Sequence, residues 1–223
     1  MSARAFFFTK IQDDAEGRDY ETWAAAIDYP FTRSQDSVER YEIMRVRSAG
    51  PVQPPVAYEY VELIEVADTE AFPGVFEQPE AKPIITKLRT FISPDPLGLV
   101  GAQVLLSGAP AGERAPVRSV VALKLASGVE RSDFEAHLSA GALRAMLDDA
   151  EISRAEVVAI GGRYKRSEPA PLDYLVILDG DPAAPEVGDL PASAHALMAA
   201  DLVDSDGSHA FVGALIEHFA AAS

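Results

Sequence analysis

Residues 58–66 read Tyr-Glu-Tyr-Val-Glu-Leu-Ile-Glu-Val, and residues 172–180 read Leu-Asp-Tyr-Leu-Val-Ile-Leu-Asp-Gly. Both runs are rich in aliphatic, β-branched and aromatic residues, the composition of a strand. Laid over one another at an offset of 114, they match Tyr60 with Tyr174, Glu59 with Asp173 and Glu65 with Asp179. Without a gap, that offset also matches Lys10 with Lys124, Asp19 with Asp133, Glu21 with Glu135 and Ala26 with Ala140. It continues through Arg40 and Arg154, Glu42 and Glu156, and Pro55 and Pro169, with Tyr20/Phe134 and Ile43/Val157 as conservative pairs. One offset that holds across so long a span implies a duplicated unit. Residues 107–116, Ser-Gly-Ala-Pro-Ala-Gly-Glu-Arg-Ala-Pro, have the composition of a linker, so the expected units are residues 1–106 and 117–223.

The periodicities agree with that division. Tyr20, Trp23, Ala24 and Ile27 are spaced as one apolar helix face, predicting a helix over 18–27, and Phe134, His137, Leu138 and Gly141 repeat the spacing. In the first unit, strands are predicted over 5–11, 38–46, 58–66 and 98–106, with a second helix over 79–91. The second unit repeats the order, with strands over 120–125, 152–160, 172–179 and 209–216 and a second helix over 192–200. Asp28-Tyr29-Pro30 is expected to end the first helix, because a proline disfavours the α conformation of the residue before it. A βαββαβ unit covers one face of its sheet with helices and must bury the other. In the run from Leu172 to Asp179 both alternating side-chain sets contain apolar residues, as in a strand covered on both faces. The predicted fold is α+β: a tandem duplication of ferredoxin-like units forming an intramolecular pseudo-dimeric α+β barrel.

Composition narrows the partners. The chain has 223 residues, 48% apolar and 24% charged, which suits a soluble globular protein. Its formal charge of −16 argues against nucleic acid and anionic membrane as partners. With no cysteine there is no thiolate metal site, iron–sulfur cluster or thiol nucleophile. His137, His195, His209 and His218 form no ligand pair, and Asp204-Ser205-Asp206-Gly207 lacks the calcium-loop glutamate, with Leu215 at the twelfth position. Neither a metal nor another cofactor is therefore expected. No Gly-x-Gly-x-x-Gly, Walker loop or Gly-x-Ser-x-Gly is present. Without a signal-peptide pattern or a membrane-length apolar run, the expected location is the cytoplasm. A monomeric pseudo-dimer is expected, with further self-association open.

Asp19-Tyr20-Glu21-Thr22-Trp23, Asp28-Tyr29-Pro30 with Arg33, residues 38–45 and residues 58–66 together resemble the REDY-like, or HapK, family. The likeness spans roughly residues 4–105 and implies a small dimeric α/β-barrel protein associated with prodigiosin-type pigment pathways. The wider superfamily holds cofactor-free cyclases and isomerases, haem enzymes, quinol monooxygenases and stress-induced proteins, so fold constrains chemistry little. The second half departs from the pattern, having Ala142-Leu143-Arg144 where Asp28-Tyr29-Pro30 stands and Val176 where Glu62 stands.

That departure selects candidate residues. A carboxylate on a strand face that the sister unit fills with valine is costly unless it is hydrogen-bonded or used, which puts Glu62 first. Strand phase places Tyr58 and Tyr60 beside it, with Tyr41 and Arg45 on the neighbouring strand, and Arg45 also loses its charge, to Ala159. Arg45 and Glu62 are expected to share a cavity, either as functional partners or as an internal salt bridge. Trp23 and Tyr29 are candidates for an aromatic wall, though at apolar helix spacing they also suit a core, and Arg33 could hold a carboxylate or simply be a surface charge. The expected function is a cofactor-independent isomerase, dehydratase, cyclase or lyase acting on a small apolar or aromatic metabolite in the first-half barrel. Glu62 would be its general base, Tyr60 or Tyr58 a donor to a carbonyl oxygen, and Arg45 the stabiliser of negative charge. The rival expectations are a non-catalytic small-molecule-binding or stress protein and a cofactor-free or haem-dependent monooxygenase.

Overall fold

Tyr60–Val66 is the third strand, β3, of a closed eight-stranded antiparallel barrel in a computed structural model that describes residues 2–12, 17–49, 58–108, 117–148, 152–180 and 190–220. The other strands are β1 (Ala3–Thr9), β2 (Val38–Ala49), β4 (Leu97–Gly108), β5 (Val117–Leu123), β6 (Ile152–Arg163), β7 (Tyr174–Gly180) and β8 (His209–Ala220). They close in the order β1-β3-β2-β8-β5-β7-β6-β4. The first four strands thus lie β4-β1-β3-β2 and the last four β8-β5-β7-β6, one ferredoxin-like order occurring twice. Closure removes the sheet edges that either half would expose alone.

The halves meet at two seams, β2 with β8 and β4 with β6, and the registers of these seams correspond. Met44 faces Leu215 and Arg45 faces Ala214 in one, as Val158 faces Gln103 and Ala159 faces Ala102 in the other. Each seam has two register shifts at corresponding places. A glycine marks each: a Cβ on Gly213 would strike the Arg45 carbonyl oxygen, and a Cβ on Gly101 would lie 2.5 Å from the Ala159 oxygen. The linker expected over 107–116 begins too early. Ser107 and Gly108 still belong to β4, opposite Ala155 and Arg154, and 109–116 lie outside the described residues.

Strand alternation sends one side-chain set inward and the other towards the helices. Inward, Phe6, Phe8, Met44, Leu63, Leu99, Val158, Ile177 and Phe211 pack into one cluster, each contributing about 2 kcal/mol through burial. With the inward set lie four arginines and four carboxylates, buried except for the partly buried Arg154: Arg4, Arg40, Arg118, Arg154, Glu42, Glu65, Glu156 and Asp179. Arg4 pairs with Glu65 within its half and reaches Glu156 across the seam, while Arg118 pairs with Asp179 and reaches Glu42. The ionic set is balanced and corresponds residue by residue between the halves, which is how so many buried charges are tolerated.

The outward sets pack under helices. In the first half the helix runs over 17–33 as α1 (Gly17–Trp23), a π-helical turn (Ala24–Asp28) and α2 (Tyr29–Arg33). The helix does not stop before Pro30. Proline supplies no N–H, and the Tyr29 N–H bonds the Ala24 carbonyl five residues back, so the wider turn carries the helix through. It also shifts the phase: Ile27, predicted on the apolar face, is 47% exposed, while Asp28 and Tyr29 turn towards the sheet. The second half repeats the device with α5 (Arg131–His137), a π-turn (Leu138–Ala142) and α6 (Leu143–Leu147), where Gly141 takes a positive φ of 151°. The helix predicted over 79–91 is the shorter α4 (Ala81–Leu88), and α3 (Phe72–Phe76), which follows a 3-10 turn, was not predicted; α7 (Ala192–Met198) covers the second half.

Candidate active site between helix and sheet

The residues of most chemical interest lie on the outer face of the first-half sheet, under the 17–33 helix, and not in the barrel lumen. The lumen is filled by the inward cluster, so the expected location inside the barrel is corrected. Glu62 shares the outward phase with Tyr60 and Ile64, and Tyr41 with Ile43 on β2, while the π-turn delivers Asp28 and Tyr29 and α1 delivers Tyr20. Tyr20 and Tyr60 are edge to face at 4.9 Å between ring centres, and Tyr29 and Tyr41 lie 6.0 Å apart.

Two carboxyls confront each other inside this aromatic cage. Burial and the nearby charge of Asp28 raise the Glu62 pKa to about 8, and burial raises Asp28 to about 6. These groups titrate as a pair, so near neutral pH they share about one proton, with Asp28 favoured as the ionised member. Glu62 is deep in the protein yet keeps some accessible surface, so part of it borders space that water can enter. The Tyr41 hydroxyl comes close enough to favour the ionised Glu62 slightly, but neither it nor the buried Tyr29 hydroxyl has a fully formed hydrogen bond among the described residues. Desolvation and the two carboxylates drive the Tyr20, Tyr29 and Tyr41 pKa values upward, which keeps these phenols protonated as donors.

A second group lies beside the cage. Glu21 accepts from Tyr60 Oη at 2.8 Å and from Arg45, so Arg45, expected to share a cavity with Glu62, is engaged by Glu21 instead. Burial and Glu21 raise the Tyr60 pKa to about 12. Trp23 is half-buried and packs on Tyr20 and Phe91 at 6.5 and 5.3 Å. Two predicted residues lie elsewhere. Tyr58 precedes β3, escapes its alternation, and packs on Phe8 and Phe211 of the inward cluster; Arg33 forms an exposed ion pair with Glu217 at 2.8 Å. Asp28, Tyr20 and Glu21 were not selected. Asp28 carries the same signal as Glu62, because Ala142 stands at the matching position of the second half. Glu21 does not, since Glu135 stands at its matching position and accepts from Tyr174 at the same 2.8 Å. Among the described residues no three potential ligands gather as a metal site, and no helix is long and apolar enough to cross a membrane.

The fold is an α+β protein with a closed eight-stranded antiparallel barrel formed within one chain. Residues 3–104 match the family described as REDY-like protein HapK, the family that the motifs of the first half resemble. HapK from Hahella chejuensis is 24% identical over 49% of this chain and 99% of its own, with a TM-score of 0.39. An anthrone oxidase-like protein aligns over 100% of this chain and 94% of its own at 9% identity and a TM-score of 0.62. A protein named as a monooxygenase from Fusobacterium nucleatum subsp. nucleatum ATCC 25586 aligns over 98% of this chain and 94% of its own, at 7% identity and a TM-score of 0.59. These last two share the fold across both halves. No curated protein matches the sequence.

Proposed function

We propose that the chain is a fused duplication whose first half is a cofactor-independent enzyme and whose second half is a structural partner that lost the site. The reaction class is proton transfer on a small apolar or aromatic metabolite: isomerisation, dehydration, cyclisation or lyase cleavage. The observation that carries this reading is the carboxyl pair. Two like acids held under aromatic rings with raised pKa values supply a base and an acid together near neutral pH. Asp28 takes a proton from carbon next to a carbonyl, while Glu62, protonated at the outset, donates to or hydrogen-bonds the oxygen. Glu62 was expected to be the base, and the pairing with Asp28 revises its initial role. Tyr41 and Tyr29 hydroxyls, lacking full partners, suit a developing oxyanion better than Tyr60, which is already bound to Glu21. The duplication is supported by the matching seam registers and paired glycines.

The test needs no known substrate. A panel of enolisable aromatic ketones and lactones in D₂O is followed by proton NMR for loss of the α-proton signal. Wild-type protein should speed exchange for at least one compound, and Glu62→Gln and Asp28→Asn should each lower that rate by about 10²-fold. Unchanged exchange in both variants would remove the catalytic role from the pair. Equal binding of a compound by all three proteins without exchange would favour the small-molecule-binding reading instead.

A further inference from the structure

The β4–β6 seam carries a cleft of about 600 Å³ on its outer face. Its floor includes Ala159, Gly161 and Gly162 of β6, beside Val100 of β4, so much of it is bare backbone. A Cβ at Gly161 would have the Val100 oxygen as its nearest neighbour at 3.8 Å, and one at Gly162 would have nothing within 4 Å. At the repeat offset, Ala159 and Gly161 correspond to Arg45 and Arg47 on β2. The second half therefore has short residues where the first carries two long cationic side chains.

Among the described residues the charged side chains that line the cleft are all cationic, Arg131, Arg163 and Lys165, in a chain with 35 acidic and 19 basic residues; the carboxylates paired with two of them, Asp173 and Glu77, stand outside the lining. Arg131 donates to the Ile160 carbonyl at 2.6 Å and stands 3.7 Å from Asp173, but its side chain is 47% exposed and has further N–H groups to offer. Lys165 pairs with Glu77 at 2.6 Å and lies over the Tyr164 ring. Tyr164 and Phe72, in edge-to-face contact at 6.0 Å, supply an aromatic wall.

We propose that this cleft is a second ligand site, separate from the Asp28–Glu62 cage, and that it takes a small organic monoanion with a flat apolar body, such as an aromatic carboxylate. The cations hold the carboxylate, the aromatic wall and glycine floor take the ring, and loss of the β2-type side chains made the space. The acidic cage is unsuited to such an anion, because its own carboxyl pair repels it.

Calorimetric titration of the full chain with 2-naphthoate, and with 2-naphthamide as the uncharged control, tests the assignment. Saturable binding of the acid is expected, at least about tenfold tighter than the amide. Gly161→Arg should abolish it by filling the floor, Arg131→Gln should weaken it about tenfold, and Glu62→Gln should leave it unchanged. Should Gly161→Arg fail to fold, as judged by its melting curve, Arg131→Gln with an unchanged melting temperature carries the test. Equal affinities for acid and amide, no saturation at millimolar ligand, or loss of binding in Glu62→Gln would each overturn the proposal. None of these results depends on whether the cage is catalytic.

Discussion

The same wedge of helix and sheet is built twice in this chain, once lined with acids and phenols and once apolar. In the first half it encloses Tyr20, Asp28, Tyr29, Tyr41 and Glu62; at the corresponding positions the second half has Phe134, Ala142, Leu143, Ala155 and Val176. Both wedges keep the strand order, the π-turn and the Tyr–Glu hydrogen bond. The second half thus shows that the architecture has no need of the buried acids and phenols. A polar cluster that costs desolvation, and that the fold does without next door, is what supports the proposed use of these residues.

The comparison is broken most severely at the ionic network, where the halves are equivalent. Arg4→Met and Arg118→Met each take one guanidinium away from two carboxylates of the buried network, and each should lower stability in urea by about 3–5 kcal/mol. Costs that differ by more than about 1 kcal/mol would show that the two seams are energetically unlike.

The next effect is kinetic and confined to one half. Replacing Asp28 or Glu62 by its amide should cost about 10²-fold in proton exchange, whereas Val176→Ala should leave exchange near wild type. An equal loss from Val176→Ala would mean that the second half takes part in the chemistry.

The third sharpening uses pH. Folded pKa values of about 6 and 8 lie above the ordinary carboxylate values of 3.8 and 4.5. The folded protein therefore binds more protons than the unfolded chain between about pH 4 and pH 8, so this pair's contribution to stability is full below that window and lost as pH rises through it. Glu62→Val, which copies the second half, should gain on wild type by the order of 2 kcal/mol between pH 5 and pH 9 in thermal melts. A constant difference across that range would remove the raised pKa.

Much of this was legible in sequence, and the misses have physical causes. Equal offsets led to the strand order that both halves share, and alternation placed Glu62, Tyr60 and Tyr41 on one face. The location of that face was misjudged, because alternation says which residues point together but not whether they meet helices or lumen. Tyr58 was misplaced because it precedes the paired strand, where alternation does not bind it. Asp28 was undervalued because a period of 3.6 puts Ile27 on the apolar face, and a proline was read as a stop; the π-turn resolves both at once. Arg45 was given to Glu62 because the carboxylate that actually holds it, Glu21, lies on a helix whose docking no strand pattern reveals.

The smallest expected effect tests the feature that the two wedges keep. Tyr60 and Tyr174 each donate at 2.8 Å to a glutamate 39 residues earlier in the chain, Glu21 and Glu135. In both, the ring is buried and the accepting carboxylate half-exposed, so removing the hydroxyl deletes one charge-assisted hydrogen bond and leaves an oxygen that water can still reach. Tyr60→Phe and Tyr174→Phe should therefore each cost about 1 kcal/mol of stability, and the two should agree within about 0.5 kcal/mol. Their effects on the cage should differ. Arg45 is held by Glu21 and also by the Tyr60 hydroxyl, and losing the second contact allows its guanidinium to shift towards Glu62, lowering the pKa of the acid pair. Carbon-13 NMR of labelled carboxyls would record that shift in Tyr60→Phe and not in Tyr174→Phe, which has no cage to disturb. An unshifted pair in Tyr60→Phe would make the Tyr60–Glu21–Arg45 group a structural clasp shared by both halves, with no hold on the acids beneath it.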